Sequence, residues 1–199
     1  MQHPLSEHWD AAICVVRYLK SNPRQGLLLS SSSTLQLHGW RDSDWAACPL
    51  TRRSLTGYFV QLDDTKISWK MKKQLTITRS SAEVEYRAMT FLTQELIWLK
   101  KVMHDLGVSQ DRPMRIFSNN KSAIALSANP VQHKRTKHIE VDGHYIHDIH
   151  AGIMTTTHVS SQQQLAEILT KALGQRENSI SFSASWAFLM YMLQLEGGC

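Results

Sequence analysis

The chain has 199 residues, which is enough for one domain with a full hydrophobic core. Its 42% apolar and 20% charged residues are typical of a globular protein, and the net charge of +5 favours a polyanionic partner, nucleic acid before membrane. A mildly basic enzyme fits that charge equally well. Three cysteines without ligand spacing argue against a disulfide framework and favour a reducing compartment. No secretion signal begins the chain, and the apolar run 186–195 is too short to cross a bilayer, which predicts a cytoplasmic protein.

The N-terminal part of the sequence predicts a helix followed by strands. Residues 8–20 place their apolar side chains on one helical face, and Pro23 and Gly26 end that helix. The serine run 30–33 predicts a turn or a flexible joint. Strand-like patterns then recur in three segments: 35–42, 57–62 and 66–72. Two aspartates at 63–64 predict a hairpin between the last two segments.

The second half of the sequence contains the longest predicted helix. It begins after Ser80, whose spacing to Glu83 fits a capping box, and its apolar stripe ends at Gly107. A short buried strand at 114–117 and a helix at 122–128 follow. Three further elements are predicted: a polar helix over about 136–150, a strand over 152–159 and an amphipathic helix over 162–173.

This order of elements predicts an α/β fold. Consecutive strands joined by hairpins pair antiparallel, whereas strands reached through helical crossovers pair parallel. The chain therefore predicts a five-stranded mixed sheet, with three antiparallel strands followed by two parallel crossovers, flanked by helices. In this arrangement the first and fourth strands are neighbours.

Four positions fall where a site is expected in such a sheet. Asp42 closes the first strand, Glu85 lies early in the long helix, Asn119 follows the fourth strand and Glu167 lies on the last helix. Sites in mixed sheets gather at the carboxyl ends of adjacent central strands, so these positions can converge. Clustered carboxylates bind two Mg²⁺ ions, which activate a water molecule for phosphodiester hydrolysis.

Each acid also has an alternative role. Asp42 and Asp44 both suit a turn, and Glu83 is explained by the capping box, which leaves Glu85 as the better ligand candidate. Glu167 alone is more typical of a solvated helix surface. The nuclease interpretation therefore depends on the combination of these residues rather than on any one of them.

Six motifs occur in a familiar order: GWRDSDWA (39–46), TRRSLTGY (51–58), ISWKMKKQ (67–74), SSAEVEYRA (80–88), RTKHIE (135–140) and HV…LAEILTK (158–171). Together they resemble the ribonuclease H domain at the C-terminal end of the polyprotein of copia-type long-terminal-repeat retrotransposons, especially those of plants. The resemblance runs from about residue 8 to 175. It implies a ribonuclease H-like fold and three regions: a remnant of the helix that connects to reverse transcriptase (1–33), a ribonuclease H-like domain (34–175) and an unmatched apolar tail (176–199).

The resemblance implies metal-dependent hydrolysis of the RNA strand of RNA/DNA hybrids by two Mg²⁺ ions, with Mn²⁺ as a possible substitute. Its four catalytic and metal-binding acids fall on Asp42, Glu85, Asn119 and Glu167, where the family has Asp at the third and fourth positions. Asn119 keeps the shape of Asp but removes a charge between the ions, so activity is expected to be impaired. Glu167 adds one methylene and is expected to be tolerated. His158 falls near the position at which related enzymes have a mobile histidine, although a structural role fits it better.

The alternative function is a catalytically inactive nucleic-acid-binding remnant. Two basic groups are expected to contact phosphates, although a solvated surface explains each of them equally well. The first group comprises Lys70, Lys72, Lys73, Arg52 and Arg53. The second comprises Lys134, Arg135 and Lys137. The expected partner is an RNA/DNA hybrid, read by shape and 2′-hydroxyls. The reverse transcriptase domain of the parent element is absent from this sequence, and that element would place the protein in the cytoplasm or in a virus-like particle.

Overall fold

The computed structural model describes residues 5–21, 23, 26–78, 80–128 and 151–171. The predicted helix at 136–150 and the tail 176–199 therefore lie outside the described residues. Within the described ranges there are three α-helices, five strands and two short 3-10 helices: α1 (Ser6–Ser21), β1 (Leu37–Asp44), β2 (Leu55–Leu62), β3 (Thr65–Lys73), α2 (Ser81–Asp105), β4 (Met114–Ser118), α3 (Lys121–Ala128), β5 (Met154–His158), and 3-10 helices Ser161–Gln163 and Leu165–Leu169. None of these helices is long and apolar enough to cross a membrane.

The strands form one five-stranded sheet in the order β3-β2-β1-β4-β5. β1 pairs antiparallel with β2, and β2 pairs antiparallel with β3 across the predicted turn at 63–64. β4 pairs parallel with β1, and β5 pairs parallel with β4. The predicted mixed sheet, with its first and fourth strands adjacent, is therefore confirmed.

Helix α2 covers one face of the sheet. Ser80 caps its N-terminus by accepting a hydrogen bond from the Glu83 amide at 3.1 Å, as the sequence predicts, while the Glu83 carboxylate accepts from Arg87 at 3.0 Å. The helix approaches β1 closely at Gly39, where an added Cβ would lie 2.8 Å from the Cδ atoms of Leu92. The main core lies between α2 and the sheet: Leu37, Tyr58, Val60, Leu62, Met89, Leu92, Leu96, Leu99, Met114, Ile116, Ala123 and Met154.

The opposite face of the sheet carries a smaller core under the final 3-10 helix. Phe59 packs there with Ala166 and Leu169. Trp40 stacks on Phe117, with 4.2 Å between the ring centroids. Because side chains alternate along a strand, the two faces of β1 belong to different parts of the molecule.

The first predicted strand is shifted by two residues. It spans Leu37–Asp44 rather than 35–42, so Asp42 lies inside the strand and does not close it. Leu35 has a φ of 57°, which interrupts the extended backbone before β1. The Asp63 carboxylate fixes this conformation by accepting from the Leu35 amide at 3.0 Å and from the Ser33 hydroxyl at 2.5 Å.

The predicted final helix is wrong in type. The described part of 162–173 forms two 3-10 helices, separated at Gln164 by extended backbone with φ −74° and ψ 98°. The Gln164 side chain is fully buried and accepts a hydrogen bond from the Ala166 amide at 3.2 Å. This side-chain cap starts a new helical segment instead of continuing the previous one.

The three cysteines were expected not to form a disulfide framework, but Cys48 is disulfide-bonded.

Replacing Gly57 with alanine is expected to destabilise the domain by displacing the final 3-10 helix. A Cβ on Gly57 would lie 2.4 Å from the Cβ of Leu169, a contact that neither backbone can relieve without moving. We expect Gly57→Ala to lower the free energy of unfolding by about 1–3 kcal/mol, measured by urea denaturation. The control is Gly26→Ala, since a Cβ at Gly26 meets nothing within 4 Å. Equal stability of both variants would contradict this packing.

Candidate functional site

Arg41 projects from the face of β1 that packs against α2. It is completely buried, and its guanidinium forms an ion pair with the Glu85 carboxylate from the first turns of α2. The same guanidinium donates to the Ser118 hydroxyl, at the end of β4, at 2.7 Å. One cationic group therefore connects β1, α2 and β4 at the place where sites in mixed sheets gather.

The Arg41 guanidinium keeps its positive charge at neutral pH. Burial lowers the pKa of Arg41 to about 10, and the neighbouring Asp42 carboxylate partly opposes that change. A group with this pKa remains protonated near pH 7. Glu85 is therefore neutralised by a side chain of the protein itself.

Asp42 lies on the other face of β1. It is 3% exposed and accepts a hydrogen bond from the Thr170 hydroxyl, just after the final 3-10 helix. Burial raises the pKa of the Asp42 carboxyl, the Thr170 hydrogen bond opposes this, and the negative charge of Glu167 adds to it. Glu167 is 5% exposed and lies 3.3 Å from the Lys171 ammonium. The positive charges of Lys171 and Arg41 counteract part of the increase.

Asn119 follows β4 directly. Its side-chain amide donates to the Ser161 hydroxyl at 3.5 Å, and its buried Oδ1 has no hydrogen-bond partner in the described part of the chain. The next residue, Asn120, caps α3 by accepting from the Ala123 amide at 2.9 Å. His158 ends β5 beside this region, is exposed, and pairs in register with Ser118.

Three of the four predicted ligand positions are thus divided between two environments, and the fourth, Asn119, lies just after β4. Asp42 and Glu167 share the face of the final 3-10 helix, whereas Glu85 lies with Arg41 on the α2 face. Over residues 5–21, 23, 26–78, 80–128 and 151–171, no three His, Cys, Asp or Glu side chains are placed to hold a metal ion. The donor set of the described residues therefore does not fit a two-metal centre as it stands.

Sequence reasoning missed Arg41, although the strand pattern contains a signal for it. Leu37, Gly39 and Arg41 share one side of β1, because alternate residues of a strand point the same way. The first two lie against α2, so the third must also be buried. A buried arginine requires a carboxylate partner, and Glu85 is the acid near the start of the helix on that face.

The predicted basic groups are only partly described. Lys70 and Lys72 are exposed on β3 and line a pocket of about 230 Å³ with Phe91, Gln94 and Glu95 of α2. Lys73 is half-buried and lies 3.6 Å from the Cys48 sulfur. Two further cations, Arg52 and Arg53, are exposed in the loop between β1 and β2. The second predicted group, Lys134, Arg135 and Lys137, lies outside the described residues.

The strand order and the long helix after the third strand define a ribonuclease H-like fold. The chain is 40% identical over 176 residues to the retrovirus-related Pol polyprotein from transposon RE2 of Arabidopsis thaliana, an alignment that covers 88% of this chain and 12% of that protein. It is 34% identical over 174 residues to the corresponding polyprotein from transposon TNT 1-94 of Nicotiana tabacum, covering 87% of this chain and 13% of that protein.

The chain therefore corresponds to a ribonuclease H-like region of the Pol polyproteins of plant copia-type retrotransposons, as the motifs predict. It spans about an eighth of the length of these curated relatives, between 12% and 13%. No family model matches the chain.

Two solved structures are similar at low sequence identity. LC11-RNase H1 in complex with an RNA/DNA hybrid aligns with a TM-score of 0.45 and 10% identity, covering 65% of this chain and 89% of that one. Prototype foamy virus protease-reverse transcriptase aligns with a TM-score of 0.47 and 12% identity, covering 85% of this chain and 22% of that one. The strand order and register, rather than these scores, define the fold.

Neutralising Asp42 is expected to stabilise the protein at neutral pH. The unfolded carboxyl loses its proton near pH 3.8, whereas the folded one keeps it to higher pH, so stability falls as pH rises between the two pKa values. Asp42→Asn removes this dependence but keeps an acceptor for Thr170. In chelator-treated protein, we expect a higher free energy of unfolding for the variant at about pH 7.5 and little difference below about pH 3.5. A variant less stable than the parent at the higher pH would contradict this account.

Proposed function

We propose that this domain binds RNA/DNA hybrids and, with its present sequence, does not hydrolyse them at an appreciable metal-dependent rate. The observation that carries this proposal is the separation of Asp42 from Glu85 on opposite faces of β1, together with an amide at Asn119. The proposal concerns this region alone and not the longer polyproteins that it matches.

The chemistry of metal-dependent hydrolysis explains why this separation matters. Two divalent ions about 3.5–4 Å apart need carboxylates that converge on both of them and neutralise their charge. Asp42 and Glu167 remain close enough for their charges to interact, but Glu85 is turned toward a protein cation. The amide of Asn119 supplies an oxygen without charge. Each kilocalorie lost from transition-state stabilisation slows the reaction about fivefold, so the combined deficit amounts to orders of magnitude.

Hybrid binding has separate support. Lys70 and Lys72 are exposed along β3 beside α2, on the sheet face that also contains Arg41 and Glu85. Lysines at this spacing alternate with Met71 and therefore project on the same side of the strand. Their charges suit the phosphates of one strand of a duplex, a contact that depends on salt and not on base sequence. Phosphate contacts of this kind persist when catalytic acids are lost.

The absence of turnover is tested with a labelled RNA/DNA hybrid in Mg²⁺ and in Mn²⁺. We expect no cleavage by the chain as given, because its carboxylates do not converge on a metal pair. An active ribonuclease H serves as the positive control, and Asp42→Asn identifies any contaminating nuclease. Cleavage by the chain as given that disappears in Asp42→Asn would contradict the proposal.

The binding surface is tested by removing Lys70 and Lys72 together. We expect Lys70→Ala/Lys72→Ala to weaken hybrid binding and to reduce the slope of log affinity against log salt by about 1–2, as measured by fluorescence anisotropy. The matched control, Lys20→Ala/Lys101→Ala, removes the same charge from exposed lysines of α1 and α2. Equal weakening by both pairs would attribute binding to net charge alone and would contradict an interface at β3.

A further inference from the structure

We propose that Arg41 is a built-in cation that occupies the electrostatic place of a metal ion at Glu85. The inference deepens the proposed function, because it names the residue that excludes metal from the site. It does not require the domain to bind a hybrid, so the two proposals can fail separately.

The position of the guanidinium carries the inference. A metal ion at the carboxyl ends of adjacent strands would have to bridge β1, β4 and the start of α2. Arg41 makes that bridge with its own side chain: the Glu85 carboxylate pairs with one terminal nitrogen, and the Ser118 hydroxyl accepts from the other at 2.7 Å. Ser118 immediately precedes Asn119, so the guanidinium reaches the edge of the third ligand position.

Burial distinguishes this pair from a surface ion pair. The Arg41 side chain is 0% exposed and that of Glu85 is 9% exposed, so both charges are largely withdrawn from water. Such a pair persists only because each charge compensates the other, and removal of one partner leaves an uncompensated buried charge. A divalent cation approaching Glu85 would meet the guanidinium, whose like charge repels it.

A consequence is that Asn119→Asp alone does not create a metal site. The change introduces a carboxylate after β4, but the Arg41 guanidinium still neutralises the Glu85 carboxylate. Metal binding is expected only when the charge at 41 is also removed. Methionine is the chosen replacement, since it has a similar length and no charge.

The first test compares two neutral variants in chelator-treated protein. In a metal-binding cluster of acids without its metal ion, replacing one acid with its amide relieves the repulsion between carboxylates and raises the melting temperature. If Arg41 is the built-in cation, Glu85→Gln instead leaves it unpaired, and we expect the melting temperature to fall by about 5 °C or more. Asp42→Asn, on the other face of β1, is the matched control and is expected not to fall. A rise for Glu85→Gln would overturn the proposal.

The second test measures Mn²⁺ binding by electron paramagnetic resonance, without nucleic acid. We expect Mn²⁺ to bind Arg41→Met/Asn119→Asp at least about tenfold more tightly than Asn119→Asp, because only the former frees Glu85. Arg41→Lys/Asn119→Asp keeps the charge and is expected to bind as weakly as Asn119→Asp. Equal affinity of the Met and Lys variants, or no binding by a folded Met variant, would overturn the proposal. If the Met variant does not fold, the result for Glu85→Gln decides.

Discussion

The ion pair between Arg41 and Glu85 is the interaction on which this end of the structure depends. Two opposite charges inside a protein are tolerated when each compensates the other. Here the pair fixes the first turns of α2 against the centre of the sheet, and the bond to Ser118 extends the connection to β4. Packing of α2 then follows along its length, from the ion pair to the close approach between Leu92 and Gly39.

The alternation of a single strand explains why the acidic residues do not form one cluster. Arg41 and Asp42 are neighbours in sequence, but they project from opposite faces of β1 and enter different surroundings. The face toward α2 receives a cation and a carboxylate that neutralise each other. The face toward the final 3-10 helix receives two carboxylates, and burial there keeps the pKa of Asp42 raised. The strand β1 therefore contains a paired charge at Arg41 next to an unfavourably buried one at Asp42.

The sequence predicted the topology because its signals are local and mutually consistent. The aspartates at 63–64 mark a hairpin, Ser80 marks the start of α2, and helical crossovers require parallel pairing. Features that depend on tertiary contacts were not predictable in this way. Leu35 delays β1 because a distant carboxylate, Asp63, holds its backbone, and the buried Gln164 divides the last helix. The role of Arg41 was not predicted, because it depends on the packing of α2 against one face of β1.

The Ser118 hydroxyl has a further chemical consequence. A hydroxyl oxygen has two lone pairs, and here one accepts from the Arg41 guanidinium at 2.7 Å while the other accepts from the backbone N–H of Asn120 at 3.1 Å. The oxygen is thereby saturated as an electron-pair donor. It can hold the guanidinium and the start of α3 in fixed relation, but it has no lone pair left to coordinate a cation or to accept a proton from an incoming ligand.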